Sequence, residues 1–492
     1  MLDTFMCKPL QKRGIKLKLV LYRIGIKLHV ARSSLYFEIA KLYTELGQLD
    51  SAIAAYRHHL QHNPKNAYTY HVIGDLLTQQ QKWSEAEVAY RKAIELNPDF
   101  FWSHQKLADV LHQQQKWSEA EVVYRKAIEL NPKFFWSHQK LADILHQQQK
   151  WSEAEVVYRK AIELNSEFFW SHQKLADVLR QQKNWSEAEA AYRKAIALDS
   201  DRFQSYVGLG EALSQQEKLD EIVPVYKTAN RLRVKRHFPQ LSSEIDRNCW
   251  QPRPNFIAIG CQKGGTTSLF YYLEQHPQVL LSVKKEIHFW SIEYERGLEW
   301  YLSHFPPLPP DSSIITGEAS TTYLNFPESA ERLVKFFPDT PIIVLFRNPV
   351  DRAISHYHHW VKIGLESRSL EEAIEEQMSD FKIQAGGWNS SNSYVARGVY
   401  VKLIEPWLER FQDKILILSS ESFYRDTDRE LDRVRQFLNL PPFTFKTQKI
   451  YNSGSYSLEN MKIRERLERF YEPYNRELET LLNFSFNWDR ST

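Results

Sequence analysis

Four tryptophans, Trp83, Trp117, Trp151 and Trp185, stand 34 residues apart in nearly unchanged surroundings. The recurring text reads FFWSHQKLADVLHQQQKWSEAEVVYRKAIELNP. A fixed period of this length marks a solenoid of paired helices, because one pair cannot bury its apolar face alone and must stack on the next. In weaker form the period extends from Leu49 to Leu219, giving about six units over residues 34–232. With 42% apolar and 25% charged residues, the 492-residue chain is neither disordered nor collagen-like. Its three cysteines, Cys7, Cys249 and Cys261, are scattered and form no Cys/His ligand pattern. That speaks against a disulfide scaffold or structural zinc site and predicts a reducing, cytoplasmic location. No uncharged run approaches the ~18 apolar residues of a membrane-spanning helix.

The unit resembles the tetratricopeptide repeat. In residues 101–134, Ala108, Ala120 and Ala127 would let the paired helices approach, and Leu107, Leu111 and Tyr124 would fill the gaps. Pro132 would end the second helix. Ala108 stands where the family most often has Gly. The resemblance implies a concave face lined by Trp102, Gln105, Asp109 and His112 and by their copies one and two units on. Such a face suits an extended peptide or a sugar chain, or else its uniformity reflects only recent duplication of the units.

The net charge of +3 hides an uneven distribution. Residues 1–37 carry eight Lys or Arg against one acid, Asp3. Within 1–33, Leu17, Val20, Leu21, Ile24 and Leu28 recur at helical spacing. This basic segment is read as a cap on the first repeat, with peripheral membrane contact through residues 8–32 as the alternative. Nothing in the charge pattern asks for nucleic acid.

Beyond a linker placed at 233–254, the pattern becomes α/β. Phe256–Ile259 reads as a buried strand, followed by Gly260-Cys-Gln-Lys-Gly-Gly-Thr-Thr-Ser and an apolar helix. A strand, a glycine-rich turn and a helix present backbone N–H groups to a phosphate. Gly260 and Gly265 keep the spacing of an ATP-binding loop, but Thr266 occupies the Lys position and Lys263 precedes the glycine pair. A second apolar strand, Pro341–Phe346, leads into Arg347-Asn348-Pro349 and a helix bearing Ser355.

These two motifs resemble those of sulfotransferases that use 3′-phosphoadenylyl sulfate (PAPS). Lys285-Glu286-Ile287-His288-Phe289-Trp290, the run from Glu295 to Tyr301, and the closing Phe486 and Trp488 resemble the heparan sulfate branch. The resemblance covers residues 255–490. Taken with the repeat resemblance, it implies an N-terminal all-α solenoid joined to a P-loop-like parallel sheet flanked by helices. It also implies transfer of a sulfuryl group to a carbohydrate hydroxyl or amine, without metal, leaving adenosine 3′,5′-bisphosphate.

By the same resemblance Lys263, Gly264, Gly265, Thr266, Thr267 and Ser268 hold the 5′-phosphosulfate, and Arg347 and Ser355 the 3′-phosphate. Ser453, Gly454, Ser455 and Tyr456 would close over the nucleotide. Glu286 is expected as general base, with Lys263 and His288 beside it in the reaction. Two departures stand out: Ser291 replaces an Asp of the glucosaminyl 3-O branch, and Glu318-Ala319-Ser320-Thr321 lacks the Lys of its counterpart. They predict an acceptor other than heparan. Protein tyrosyl sulfation, and a repeat scaffold with a non-catalytic nucleotide site, are the competing expectations. The repeats would position the acceptor, glycan or protein, or bind a protein partner.

Overall fold

The computed structural model describes residues 18, 20, 22, 32–247, 252–379, 393–447 and 461–488. The basic N-terminal segment and Ser453–Tyr456 therefore lie almost wholly outside the described residues. The chain divides into two compact units, residues 1–200 and 201–492.

The first unit is built of helix pairs: α1 (Arg32–Glu45) and α2 (Leu49–His62), α3 (Ala67–Gln79) and α4 (Trp83–Leu96), α5 (Phe101–Gln113) and α6 (Trp117–Leu130), α7 (Phe135–Gln147) and α8 (Trp151–Leu164), α9 (Phe169–Gln181) and α10 (Trp185–Leu198). The residues expected at the helix crossings are there. Ala108, Ala120, Ala127, Leu107, Leu111 and Tyr124 are all buried. Gly74 takes the place of Ala108 in the preceding unit, where a Cβ would come within 2.6 Å of the Tyr90 ring. After each first helix a left-handed residue (Gly47 at φ 72°, then Gln81, Gln115, Gln149 and Lys183 at φ 58–61°) turns the chain into the second helix.

Two sets of polar contacts tie neighbouring units together. Ser137 Oγ donates to Gln105 Oε1 at 2.6 Å, and Ser171 repeats this with Gln139 at 2.5 Å, both buried. On the exposed side Arg125 bridges Glu121 and Glu153, and Lys150 reaches back to Glu121 at 2.8 Å.

The second unit begins with a further helix pair, α11 (Phe203–Gln215) and α12 (Leu219–His237). The sequence places residues 231–240 in an irregular stretch with a linker from 233, but α12 runs on to His237. The reason is burial. Asn230 donates to Ser303 O at 2.8 Å, and Arg233 donates to Leu281 O at 2.8 Å, both inside the unit. Burial pulls the Arg233 guanidinium down to about 10.

The α/β core is a four-stranded parallel sheet in the order β2-β1-β3-β4: β1 Phe256–Gly260, β2 Gly317–Ala319, β3 Ile342–Phe346 and β4 Ile415–Ser419. β1 and β3 are buried at every position, as continuous apolar runs in a parallel sheet covered on both faces should be. Helix α13 (Thr266–Leu273) follows β1, α14 (Pro349–Lys362) follows β3, and α15 (Tyr400–Phe411) precedes β4. The turns leaving β1, β2 and β3 all open at the carboxyl edge of the sheet, where open α/β folds place their ligands.

Candidate active site

The turn after β1 is held against the neighbouring strand. Cys261 N donates to Leu345 O at 2.8 Å and Gly264 N to Cys261 O at 3.0 Å. A Cβ on Gly264 would stand 2.6 Å from Leu345 O, so only glycine allows the loop this close to β3. Gly265, at φ 102°, then starts α13 and turns its first N–H groups outward. Thr266 and Ser268 are buried and Thr267 half-buried. Ser268 Oγ lies 3.3 Å from Tyr424 Oη, on the wall of the same turn.

Two cations meet over this turn. Arg347 Nη1 donates to Lys263 O at 3.1 Å. Burial, with the nearby charges of Arg347 and Lys362, pulls the Lys263 ammonium below its usual value. A positive pair facing helix N–H groups is a site for a polyanion, because a bound anion relieves both the repulsion and the lost hydration. Asn348 caps α14, its Oδ1 accepting from Val350 N at 2.9 Å. This fixes the helix on which Ser355 is buried. Sequence reasoning missed Arg397, buried with Nη1 donating to Gln262 Oε1 of the loop at 2.7 Å. Burial, and behind it the charge of Arg352, lowers the Arg397 pKa to about 10.

One strand over, the β2 edge carries a second cluster. Glu286 N donates to Ala319 O at 3.0 Å. Its Oε2 accepts from Thr321 N at 2.8 Å and Thr321 Oγ1 at 3.1 Å, while Oε1 pairs with Lys285. His288 N donates to Ser320 Oγ at 3.2 Å, and His288 Nδ1 lies 2.9 Å from Thr322 Oγ1 and 3.8 Å from Glu286 Oε2. Burial lowers the His288 pKa against the opposing pull of Glu286, so its imidazole is neutral near pH 7. Glu286 and His288 both sit at φ 61°, a conformation non-glycine residues adopt at some cost.

Four consecutive residues, 319–322, thus supply the partners of Glu286 and His288. Beneath them lies the fully buried Glu318, whose Oε1 accepts from Tyr301 Oη (2.7 Å) and Tyr323 Oη (2.9 Å). Its Oε2 accepts from Ser320 Oγ at 2.6 Å. The sequence marked this segment only for the lysine it lacks. A Ser/Thr run leaving a buried strand was the signal available, but the run does not say which side chains it serves. Ser291, in place of the acidic residue, lies 2.7 Å from Thr322 Oγ1 and joins the same network.

The structure therefore brings Lys263 and Arg347 together, and separately Glu286 and His288. The two clusters are linked through β1, where Ser320 N donates to Ala258 O at 3.0 Å. Gln105 and Gln139, expected on an open face of the repeats, are instead buried in contacts with Ser137 and Ser171.

A parallel α/β sheet thus carries a cationic turn suited to an anion, with a carboxylate–imidazole cluster one strand away. Residues 253–474 match the sulfotransferase domain family. Residues 74–115, 108–149 and 176–217 match TPR repeat, and residues 33–66 and 137–168 match tetratricopeptide repeat. Heparan sulfate glucosamine 3-O-sulfotransferase 6 of Mus musculus is 31% identical over 264 residues, covering 48% of this chain and 74% of the relative. The membrane-associated sulfotransferase kil1 of Dictyostelium discoideum is 26% identical over 312 residues, covering 48% of this chain and 66% of that protein. The chain thus spans just under two thirds of the length of this relative. Among solved structures, a sulfotransferase from Alicyclobacillus acidocaldarius is 29% identical with a TM-score of 0.41, covering 48% of this chain and 99% of that one. The chain belongs to the sulfotransferase family, with a tetratricopeptide array preceding the sulfotransferase domain.

Proposed function

We propose that the protein transfers the sulfuryl group of PAPS to a hydroxyl or amine of a carbohydrate acceptor, and that Glu286 is the general base. The observation that carries this reading is the placing of the Lys263–Arg347 pair and the Glu286–His288 cluster at the carboxyl edge of adjacent strands. Membership of the sulfotransferase family supports the donor, and the heparan sulfate relatives support a sugar acceptor.

In this scheme the acceptor oxygen or nitrogen attacks sulfur as the bond from sulfur to the 5′-phosphate oxygen breaks. Glu286 takes the acceptor proton. Lys263 and the N–H groups of residues 264–268 stabilise charge on the departing phosphate, and Arg347 with Ser355 holds the 3′-phosphate. Thr321 fixes one oxygen of Glu286, and the acceptor displaces Lys285 from the other. Neutral His288 orients the acceptor. The repeats position the acceptor or a partner. The scattered cysteines favour a cytoplasmic site of action, and residues 8–32 offer the route to peripheral membrane contact. Among the described residues no helix is long and apolar enough to cross a membrane.

Labelled sulfate supplied as PAPS, offered to a panel of glycans, lipids and peptides, tests the scheme. Lys263→Ala should lose both donor binding and turnover. Glu286→Gln should bind adenosine 3′,5′-bisphosphate normally and turn over about 10²-fold more slowly or worse. Full activity of Glu286→Gln would sink the base assignment. Transfer to peptides alone would move the acceptor class to protein. Tight nucleotide binding with no transfer to any acceptor or to water would favour the scaffold.

A further inference from the structure

Three successive first helices of the repeat array carry Trp and Lys at the same two positions: Trp102 and Lys106, Trp136 and Lys140, Trp170 and Lys174. Four residues apart on a helix, the two side chains share one face. Lys174 shows the pairing directly, its ammonium lying 5.1 Å from the Trp170 ring centroid. Tyr68 extends the row by one unit. Large aromatic rings are normally buried, yet Tyr68, Trp102 and Trp136 are 55%, 47% and 45% exposed.

The rings are also braced. Phe134 meets Trp102 edge-on at 5.3 Å, and Phe168 meets Trp136 in the same way at 5.2 Å. Trp102 and Trp136 are thus each held by a ring of the next unit. The rungs recur once per unit on successive first helices, so they form an extended strip along the array.

The charges on this face are unequal in availability. Asp109 and Asp143 lie within it, but each Oδ1 accepts from a buried tyrosine, Tyr124 at 2.5 Å and Tyr158 at 2.7 Å, and from Gln105 or Gln139. Burial raises the pKa of both carboxyls against the opposing pull of the tyrosine hydrogen bonds and of Lys106, Lys140 and Lys174. Among the described residues no carboxylate lies within ion-pair distance of Lys106 or Lys140. The rungs of Lys106 and Lys140 therefore offer a flat aromatic surface beside an ammonium with no ion-pair partner, whereas Lys174 in the third rung lies 3.6 Å from Asp177. The side-chain amides that would pair with a peptide backbone, Gln105 and Gln139, are buried and already engaged.

We propose that this strip binds a linear acidic glycan, sugar faces stacking on Trp102, Trp136 and Trp170 while carboxylate or sulfate groups pair with Lys106, Lys140 and Lys174. The assignment goes beyond the transfer reaction and does not depend on it, since binding needs no donor. If both hold, the array keeps a polymeric acceptor on the enzyme between transfers.

The test is titration of the full chain, without donor, with uronic-acid-containing octasaccharides and with neutral octasaccharides of glucose. Wild type should bind the acidic series in a salt-dependent manner and at least tenfold more tightly than the neutral one. Trp102→Ala/Trp136→Ala should weaken acidic binding at least tenfold, and Trp102→Phe/Trp136→Phe should restore part of it. Lys106→Gln/Lys140→Gln should flatten the salt dependence. Circular dichroism and an unchanged melting temperature establish that the variants fold, and transfer to a short acceptor should stay at the wild-type rate. Equal affinity for neutral and acidic sugars would overturn the proposal, as would acidic binding untouched in the Trp variants or lost in Lys263→Ala instead. Tighter binding of extended peptides, or a dimer in sedimentation that dissociates in the Trp variants, would also overturn it by assigning the strip to another occupant.

Discussion

Glu318→Gln separates the cost of the buried carboxyl from the service it performs. In the folded chain Glu318 has no exposure and three hydroxyl donors, from Tyr301, Tyr323 and Ser320. Burial outweighs those donors, with the nearby Glu286 charge adding to it, and raises the carboxyl from 4.5 to about 7. The difference corresponds to roughly 3 kcal/mol. Since the folded value lies above the unfolded one, Glu318 contributes its full stabilisation below about pH 4.5. That contribution is lost as pH rises toward and through 7, because the unfolded chain ionises more readily. Glutamine keeps an acceptor for the two tyrosines and a polar partner for Ser320, without the ionisation. Urea unfolding of wild type and Glu318→Gln at pH 4.5 and pH 8, followed by hydrogen exchange in peptides spanning 318–323, reads the effect. Between these pH values wild type should lose roughly 3 kcal/mol more than the variant. Parallel pH dependences would refute the placement of a protonatable carboxyl beneath the Glu286 platform.

Other outcomes follow from the same geometry. Thr321→Ala removes one of two donors to Glu286 Oε2; turnover should fall about tenfold, with the affinity for adenosine 3′,5′-bisphosphate unchanged by calorimetry. The lowered pKa of His288 places any acid limb due to its protonation below pH 6.5, and that limb should vanish from the pH–rate profile of His288→Asn. Gln115 occupies a left-handed position at φ 60°, so Gln115→Gly should raise stability by about 0.5–1 kcal/mol in thermal unfolding. An unchanged or lower melting temperature would count against strain at that turn. Gly264→Ala would press a methyl into Leu345 O; it should abolish nucleotide binding while leaving the helical signal of the repeats intact.

What could be read directly from the residues was whatever repeats or stays local. The 34-residue period dictates stacked helix pairs, since each apolar face needs its neighbour, and the small-residue crossings of Ala108, Ala120 and Ala127 follow from it. The two glycine- and arginine-bearing turns were legible for a similar reason: a strand, a turn and a helix lie within about a dozen residues, and their chemistry is carried by the backbone. Residues joined only by β-sheet register were another matter. Pairing Ala258 with Ala319 brings residues 318–322 under Glu286 and His288, across more than thirty residues of chain. No pattern in either segment encodes that register. Burial decided the remainder. It took Gln105 and Gln139 away from the surface and ran α12 through a stretch whose charge suggested a linker, while Trp102 and Trp136 stay exposed as the repeat resemblance implied. Periodicity is a property of the chain, whereas solvent exclusion belongs to the assembled fold, so the sequence determined the modules and the tertiary structure decided which polar groups remain free for chemistry.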